Sequence, residues 1–328
     1  MSLQYLNNFR GIAILLIIFG HAISALPEPH SAALLMLTPL FTNGTLLFVL
    51  VAGQFFVSLS ENYAYRTFLK SKLLFVVLPY LILSFPAALI YLLGFKTSHE
   101  WMDMQWFDSL NPLVAYGYLL ITGAHLGPLW FVPMILLYYL ASPIWLFFLR
   151  HNLLLPLFCS SLLLAIFLGR PVDNSNSLQS ALYFLPAYLT GMYLGKHTRL
   201  LNILMPYAGW ALSFCVILLV IFGQSVFSDS RWDLPIKLIA TCCLIAVCMA
   251  KLNYKIKWLD LFARLSFYLF FVHGYVVGAF RMFFHESKYD MGIAAVLGVF
   301  AITLILCLMA YIFFKWILQS RSKFILGA

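Results

Sequence analysis

The sequence predicts an all-α protein: a polytopic membrane helix bundle of about ten transmembrane helices, with both termini cytoplasmic. Three observations predict it. The first is composition: 63% of the 328 residues are apolar and only 9% are charged. Soluble domains run near ~45–50% apolar and ~25% charged. The second is patterning. Apolar runs of membrane-spanning length fall near 9–26, 39–59, 73–94, 128–149, 153–169, 181–195, 207–225, 234–251, 264–284 and 291–317. The third is charge. With the N-terminus inside and the spans alternating, the inner loops hold fourteen Lys and Arg against Glu61 and Asp260. The outer loops hold six, among them Arg170, Lys237 and Lys288, against nine acids that include Glu28, Asp233, Glu286 and Asp290. That is the asymmetry the positive-inside rule requires.

No soluble segment is long enough to fold alone, so residues 1–328 form one membrane domain. The stretch 112–123 is apolar but short, and reads as an interfacial or half-buried helix. The net charge of +9 does not indicate nucleic acid, because the basic residues are scattered between apolar runs. All six cysteines lie inside apolar runs, without metal-site spacing beside a His, and read as small core residues. No metal is expected. The start of the chain has features of a signal peptide: Arg10, a short apolar run and the small residues Ala22–Ala25. Its weakly basic beginning and the spans that follow favour a retained anchor.

The first span carries the residues of most interest. Arg10 opens it and His21 lies eleven residues further in. Eleven residues are about three turns, so the two share a face and stand ~16 Å apart along the axis. With Arg10 at the membrane edge, His21 falls near mid-bilayer, where an ionisable group reads as functional. The plainer reading is a His that bonds a neighbouring helix. Ser24 follows His21 by three positions on the same face. His21 and His273 are the ionisable residues placed deep in spans, and every Asp and Glu falls in a loop or at a span end. That argues against a proton-driven pump.

Further stretches are ordered along the chain. Leu47–Phe56 contains Ala52-Gly53, where the Gly suits close helix approach. Lys70 and Lys72 flank Ser71 at a basic helix start. Gly127-Pro128-Leu129-Trp130-Phe131 precedes Tyr138-Tyr139. Leu185–Lys196 is Gly-rich, and Leu265–Gly274 contains His273. Taken together, the chain resembles the acyltransferase-3 family of integral membrane acyltransferases. Its pattern of a basic residue, ten intervening residues and a His fits Arg10 and His21. Three departures stand out: Ala52 replaces a usual Ser, Asn7 stands where many members carry Asp, and Phe75 and Val76 occupy the region of a second Arg.

The resemblance implies transfer of an acyl group, commonly acetyl, from acyl-CoA to a hydroxyl of a sugar or lipid-linked glycan in a bacterial inner membrane. It implies that His21 is catalytic and that Arg10 helps hold CoA. The chemistry agrees. A cytoplasmic Arg, helped by Lys70 and Lys72, suits phosphates. An imidazole with a pKa near ~6.5 can take a hydroxyl's proton. Direct transfer with His21 as base is favoured over a Ser24 acyl-enzyme. Lys70 and Lys72 can also be plain topology signals, Gly53 a packing residue and His273 a satisfied His. Trp130 reads more readily as an interfacial anchor than as a site residue. The outer loop 95–127, with Trp101, Asp103, Trp106 and Asp108, can meet a glycan or be an ordinary capped loop. A transporter or flippase of lipid-linked sugars on the same fold is the rival reading. An interaction subunit with structural His residues is a third.

Overall fold

A computed structural model describes residues 4–27, 31–284 and 291–327. Among them every regular element is helical. In order these are α1 (Gln4–Ile23), α2 (Ala32–Phe41), α3 (Thr45–Leu59), α4 (Tyr65–Lys72), α5 (Leu78–Leu92), α6 (Met104–Asp108), α7 (Pro112–Thr122), α8 (Phe131–Leu140) and α9 (Ser142–Arg150). There follow α10 (Leu154–Leu168), α11 (Ser177–Lys196), α12 (Arg199–Phe222), α13 (Ser230–Lys251), α14 (Lys257–Phe284), α15 (Ile293–Leu318) and α16 (Ser322–Ile325). A π-turn over Leu73–Val77 joins α4 to α5, and a 3-10 turn over Gly127–Trp130 leads into α8.

By length and composition, seven described segments are able to cross a membrane, or eight if α7 and Gly127–Leu140, bent by 76°, make one broken span. The exact count of about ten is not confirmed by this measure. Helices form at all ten expected stretches, but α10 is only 15 residues long. α11 has the length, with 20 residues, but is less apolar because it lies inside the bundle. It needs no lipid-facing surface: Tyr183, Phe184, Leu189 and Met192 are fully buried. The stretch read as interfacial is the first arm of the bent pair.

Two packing devices set the frame. The first joins α3 to α11 through glycines. A Cβ on Gly53 would run into the carbonyl oxygen of Tyr188, and one on Gly191 into that of Leu50. The backbones are that close because neither residue has a side chain. The second fixes the start of α1. The buried Asn8 donates through Nδ2 to the carbonyls of Leu252 (2.5 Å) and Tyr254 (2.8 Å), between α13 and α14. α1 then runs along α14 with Phe9, Ile14 and Ile18 wholly enclosed.

The charge reading needs one correction. Asp233 and Lys237, assigned to an outer loop, sit in the first two turns of α13 and are buried. They form an ion pair of 2.8 Å. Enclosure by protein, together with mutual pairing, is what makes two charges tolerable there. Glu28, Glu286, Lys288 and Asp290 of the outer charge set lie outside the described residues.

Candidate active site

α1 carries Arg10 and His21 to two different cavities. Arg10 lines a cavity of about 570 Å³ whose walls are mostly aromatic and aliphatic, including Phe48, Phe55, Val76 and Phe131. Its guanidinium donates from Nη2 to Ser266 Oγ at 3.0 Å and lies 5.7 Å from the Phe55 ring centre. Lys72 lines the same cavity, with Nζ 4.8 Å from the Tyr139 ring and 5.1 Å from the Phe68 ring. The π-turn after it brings Phe75 and Val76 to the wall. Lys70 is exposed and takes no part in this wall. The two lysines therefore separate: Lys72 is gathered with Arg10 and Lys70 is not.

His21 is half-buried in a second cavity of about 230 Å³, lined also by Ser24, Thr42, Asn43, Trp130 and Arg170. His273 on α14 stands beside it, with ring centres 5.1 Å apart. His273 is wholly buried, and its Nδ1 is 2.7 Å from the Leu269 carbonyl. A ring nitrogen that close to a carbonyl carries the proton, which leaves Nε2 as an acceptor. Nε2 has no hydrogen-bond partner among the described residues. His273 is thus a neighbour of His21 with one free lone pair, and only half satisfied as a structural His.

Phe270 connects the wall of the Arg10 cavity to His273, the neighbour of His21. Phe270 meets Phe131 (5.1 Å between ring centres) and Phe48 (6.2 Å), both of which line the Arg10 cavity. The same ring is 6.0 Å from His273. Trp130 and Phe131 are adjacent in sequence and face different cavities.

Several candidates resolve differently from their first reading. Trp130 is only 6% exposed and stacks on Phe184 at 5.7 Å. It is an internal wall of the His21 cavity, and an interfacial anchor would have to reach lipid. Gly53 lines neither cavity and is explained by the α3–α11 contact. The Ser24 hydroxyl donates to the backbone carbonyl of His21 (2.9 Å), so the imidazole does not activate it as a nucleophile. In the 95–127 loop, Asp103 caps α6 through the amides of Gln105 and Trp106, and Trp106 packs on Tyr118 at 5.0 Å. Trp101 of the same loop lines a further cavity of about 400 Å³ together with His99, His125 and Trp130. All six cysteines are free. No group of three or more metal-binding side chains occurs among the described residues.

Sequence reasoning missed Arg170, which it counted as an outer-loop charge. Arg170 follows Gly169, a left-handed residue (φ +65°) that ends α10. Its backbone N–H donates to Ser230 Oγ (3.0 Å), Nε donates to Asn174 Oδ1 (2.7 Å) and Nη1 donates to Asn43 Oδ1. The guanidinium lies 5.5 Å from the Trp130 ring centre. Burial pushes its pKa below the ordinary value, while Tyr183, Asp233 and Asp173 act in the opposite direction. A guanidinium starts so high that it stays charged. The usable signal was local. Asn43-Gly44 is a turn dipeptide, and Asn43 takes the left-handed conformation there (φ +60°). That conformation turns its amide toward Arg170 and Asp233.

A family model described as an acyltransferase domain matches residues 3–312. No curated protein and no solved structure matches the chain.

Proposed function

The chain belongs to the acyltransferase-3 family of membrane acyltransferases, and from that premise we propose that it moves an acyl group, acetyl above all, from acyl-CoA to a hydroxyl of a sugar or lipid-linked glycan of the cell envelope. The observation that carries the reading is the division along α1. Arg10 and His21 stand on one helix face, yet line two different cavities. The donor is a long molecule with phosphates at one end and a thioester at the other. The Arg10 cavity suits the first end: it offers two cations, Arg10 and Lys72, at an otherwise apolar wall. The His21 cavity suits the second, being small and polar, with an imidazole beside Trp130. The excess of basic residues in the loops at the Arg10 end supports a cytoplasmic placement of that end, and the membrane proposed is a bacterial inner membrane. The acceptor then enters from the opposite side. The polar cavity of about 470 Å³ beyond Arg170, lined by Asn43, Asp173, Asn174 and Ser230, gives it room.

In this reaction His21 is the general base. The acceptor hydroxyl attacks the thioester carbon directly, and His21 takes its proton as the bond forms. The imidazolium then returns that proton to the departing CoA thiolate. His273, whose ring centre is 5.1 Å from that of His21, is its neighbour in this reaction and the next candidate for the base.

The test has two parts. Envelope glycans from cells with and without the gene are compared by mass spectrometry for O-acyl groups. The purified protein is given acetyl-CoA and alkali-treated, de-O-acylated envelope glycan from the deletion cells, and free CoA thiol is measured. O-acyl groups that vanish with the gene, and CoA release that requires the glycan, are expected. Unchanged O-acylation together with no CoA release would overturn the proposal and favour transport of lipid-linked sugars.

A further inference from the structure

A general base accounts for only half of an acyl transfer. When the hydroxyl oxygen bonds to the thioester carbon, the carbonyl π pair moves onto the carbonyl oxygen. That oxygen carries a full negative charge until the C–S bond breaks. In a water-poor cavity a fixed positive group aimed at the charge is usually the largest single contribution to rate. His21 cannot serve, because it is taking the proton.

We infer that Arg170 is a catalytic residue, whose guanidinium holds the acyl carbonyl oxygen as it becomes an oxyanion in the His21 cavity; this rests on the acyl-transfer reading above. Four observations lead there. Arg170 is the cation that lines the His21 cavity among the described residues. It is held rigidly: Nε is bound to Asn174, Nη1 to Asn43, and the plane lies near the rings of Trp130 and Phe184 (5.5 and 5.8 Å). Those bonds leave Nη2 without a partner among the described residues, so its donors remain for a ligand. Its charge is not cancelled by a carboxylate at ion-pair distance among those residues. The nearby Asp233 is occupied by Lys237, whose Nζ also donates to the Thr42 carbonyl (2.7 Å) and hydroxyl (2.6 Å). Asn43 connects the two by accepting from Arg170 and donating to Asp233. The cluster of half-buried Arg170 with buried Asp233 and Lys237 thus keeps one positive charge in excess at the edge of the cavity. A group clamped in advance needs no reorganisation when the charge appears.

The step balances as follows. The acceptor oxygen bonds to the acyl carbon and its proton passes to His21. The carbonyl oxygen takes the π pair and faces Arg170. The pair then returns to re-form C=O, the C–S bond breaks, and the sulfur leaves with its electrons. The His21 imidazolium protonates the thiolate. The products are the ester and free CoA.

The competing explanation is that Arg170 merely ties the α10–α11 loop to the α2–α3 turn. Purified wild type, Arg170→Gln, Arg170→Lys, Arg170→Ala and His21→Ala are compared, with acetyl-CoA and de-O-acylated envelope glycan as substrates. Readouts are turnover by thiol release, acetyl-CoA affinity by titration and thermal stability. Arg170→Gln is expected to lose about 10²–10³-fold in turnover, with acetyl-CoA affinity within twofold of wild type. Arg170→Lys is expected to fall between them. Millimolar guanidinium is expected to restore part of the turnover of Arg170→Ala, which a structural tie would not allow. If Arg170→Gln stays within threefold of wild type while His21→Ala is inactive, Arg170 has no catalytic part and the acyl-transfer reading stands. If neither Arg170→Lys nor added guanidinium recovers activity and stability falls with it, Arg170 is a tie and the inference fails. If His21→Ala is fully active as well, it is the acyl-transfer reading that fails.

Discussion

The Arg10 cavity and the His21 cavity are lined from one helix face and differ in almost every other respect. The first is large, about 570 Å³, with apolar walls and two cations. The second is small, about 230 Å³, with an imidazole, a guanidinium and several hydroxyl and amide groups. The cations of the first rest on aromatic rings and a single hydroxyl. The cation of the second is clamped by two amides and aromatic rings. In the proposed reaction that difference divides binding from chemistry along α1. The Arg10 end takes the long donor, and the His21 end holds the reacting atoms.

The largest effect is expected where both cavities depend on the same contact. Gly191→Leu drives a side chain into the Leu50 backbone of α3, and rigid backbone cannot yield as a flexible side chain does. No folded protein should be recovered by size-exclusion chromatography in detergent. A monodisperse Gly191→Leu would break the common frame assumed for the two cavities.

Next comes the donor end. Charge-assisted hydrogen bonds contribute about 1.5–3 kcal/mol each, so Arg10→Ala should weaken acyl-CoA binding roughly 10–100-fold. Lys72→Ala should weaken it less, because a lysine acts on phosphate as a point charge. Lys70→Ala should leave it within about twofold, since surface charges contribute little. Isothermal titration of the three purified variants checks the order. Equal losses for Lys70 and Lys72 would show that the cavity wall is not what selects between them.

Phe270 gives a smaller effect. Phe270→Ala removes the ring that connects Phe131 of the Arg10 cavity to His273 beside His21, and should let water reach the thioester. Acceptor-independent hydrolysis of acetyl-CoA should rise several-fold, because water exclusion suppresses that side reaction. Unchanged hydrolysis would mean that Phe270 does not keep water from the thioester. Smallest of all, Ser24→Ala should change turnover by less than about twofold, because its hydroxyl is committed to a backbone carbonyl. An inactive Ser24→Ala would reopen the acyl-enzyme route.

Much of this was legible in the sequence, for physical reasons. Apolar runs and scattered basic residues define a membrane helix bundle whatever its packing. The eleven-residue spacing alone puts Arg10 and His21 on one face of α1. What could not be read was which residues of distant segments meet. His273 comes within 5.1 Å of His21 only because α14 packs along α1. Arg170 and Lys237 look like loop charges until the α2–α3 turn and the head of α13 close over them. Trp130 carries the residue type of an interfacial anchor and is instead walled in by Phe184. Composition alone does not confirm the span count for a related reason: α11 is enclosed by protein, so its composition reports on neighbouring helices more than on lipid.

The central claim is that capture and chemistry are separate along α1. Its most direct test measures acyl-CoA affinity and glycan-dependent CoA release together in His21→Gln. Gln can hydrogen-bond a hydroxyl but cannot take its proton. The account predicts wild-type affinity with turnover reduced by about 10²–10⁴-fold, the usual cost of losing a general base. Near wild-type turnover in His21→Gln, or a loss confined to acyl-CoA affinity, would contradict it.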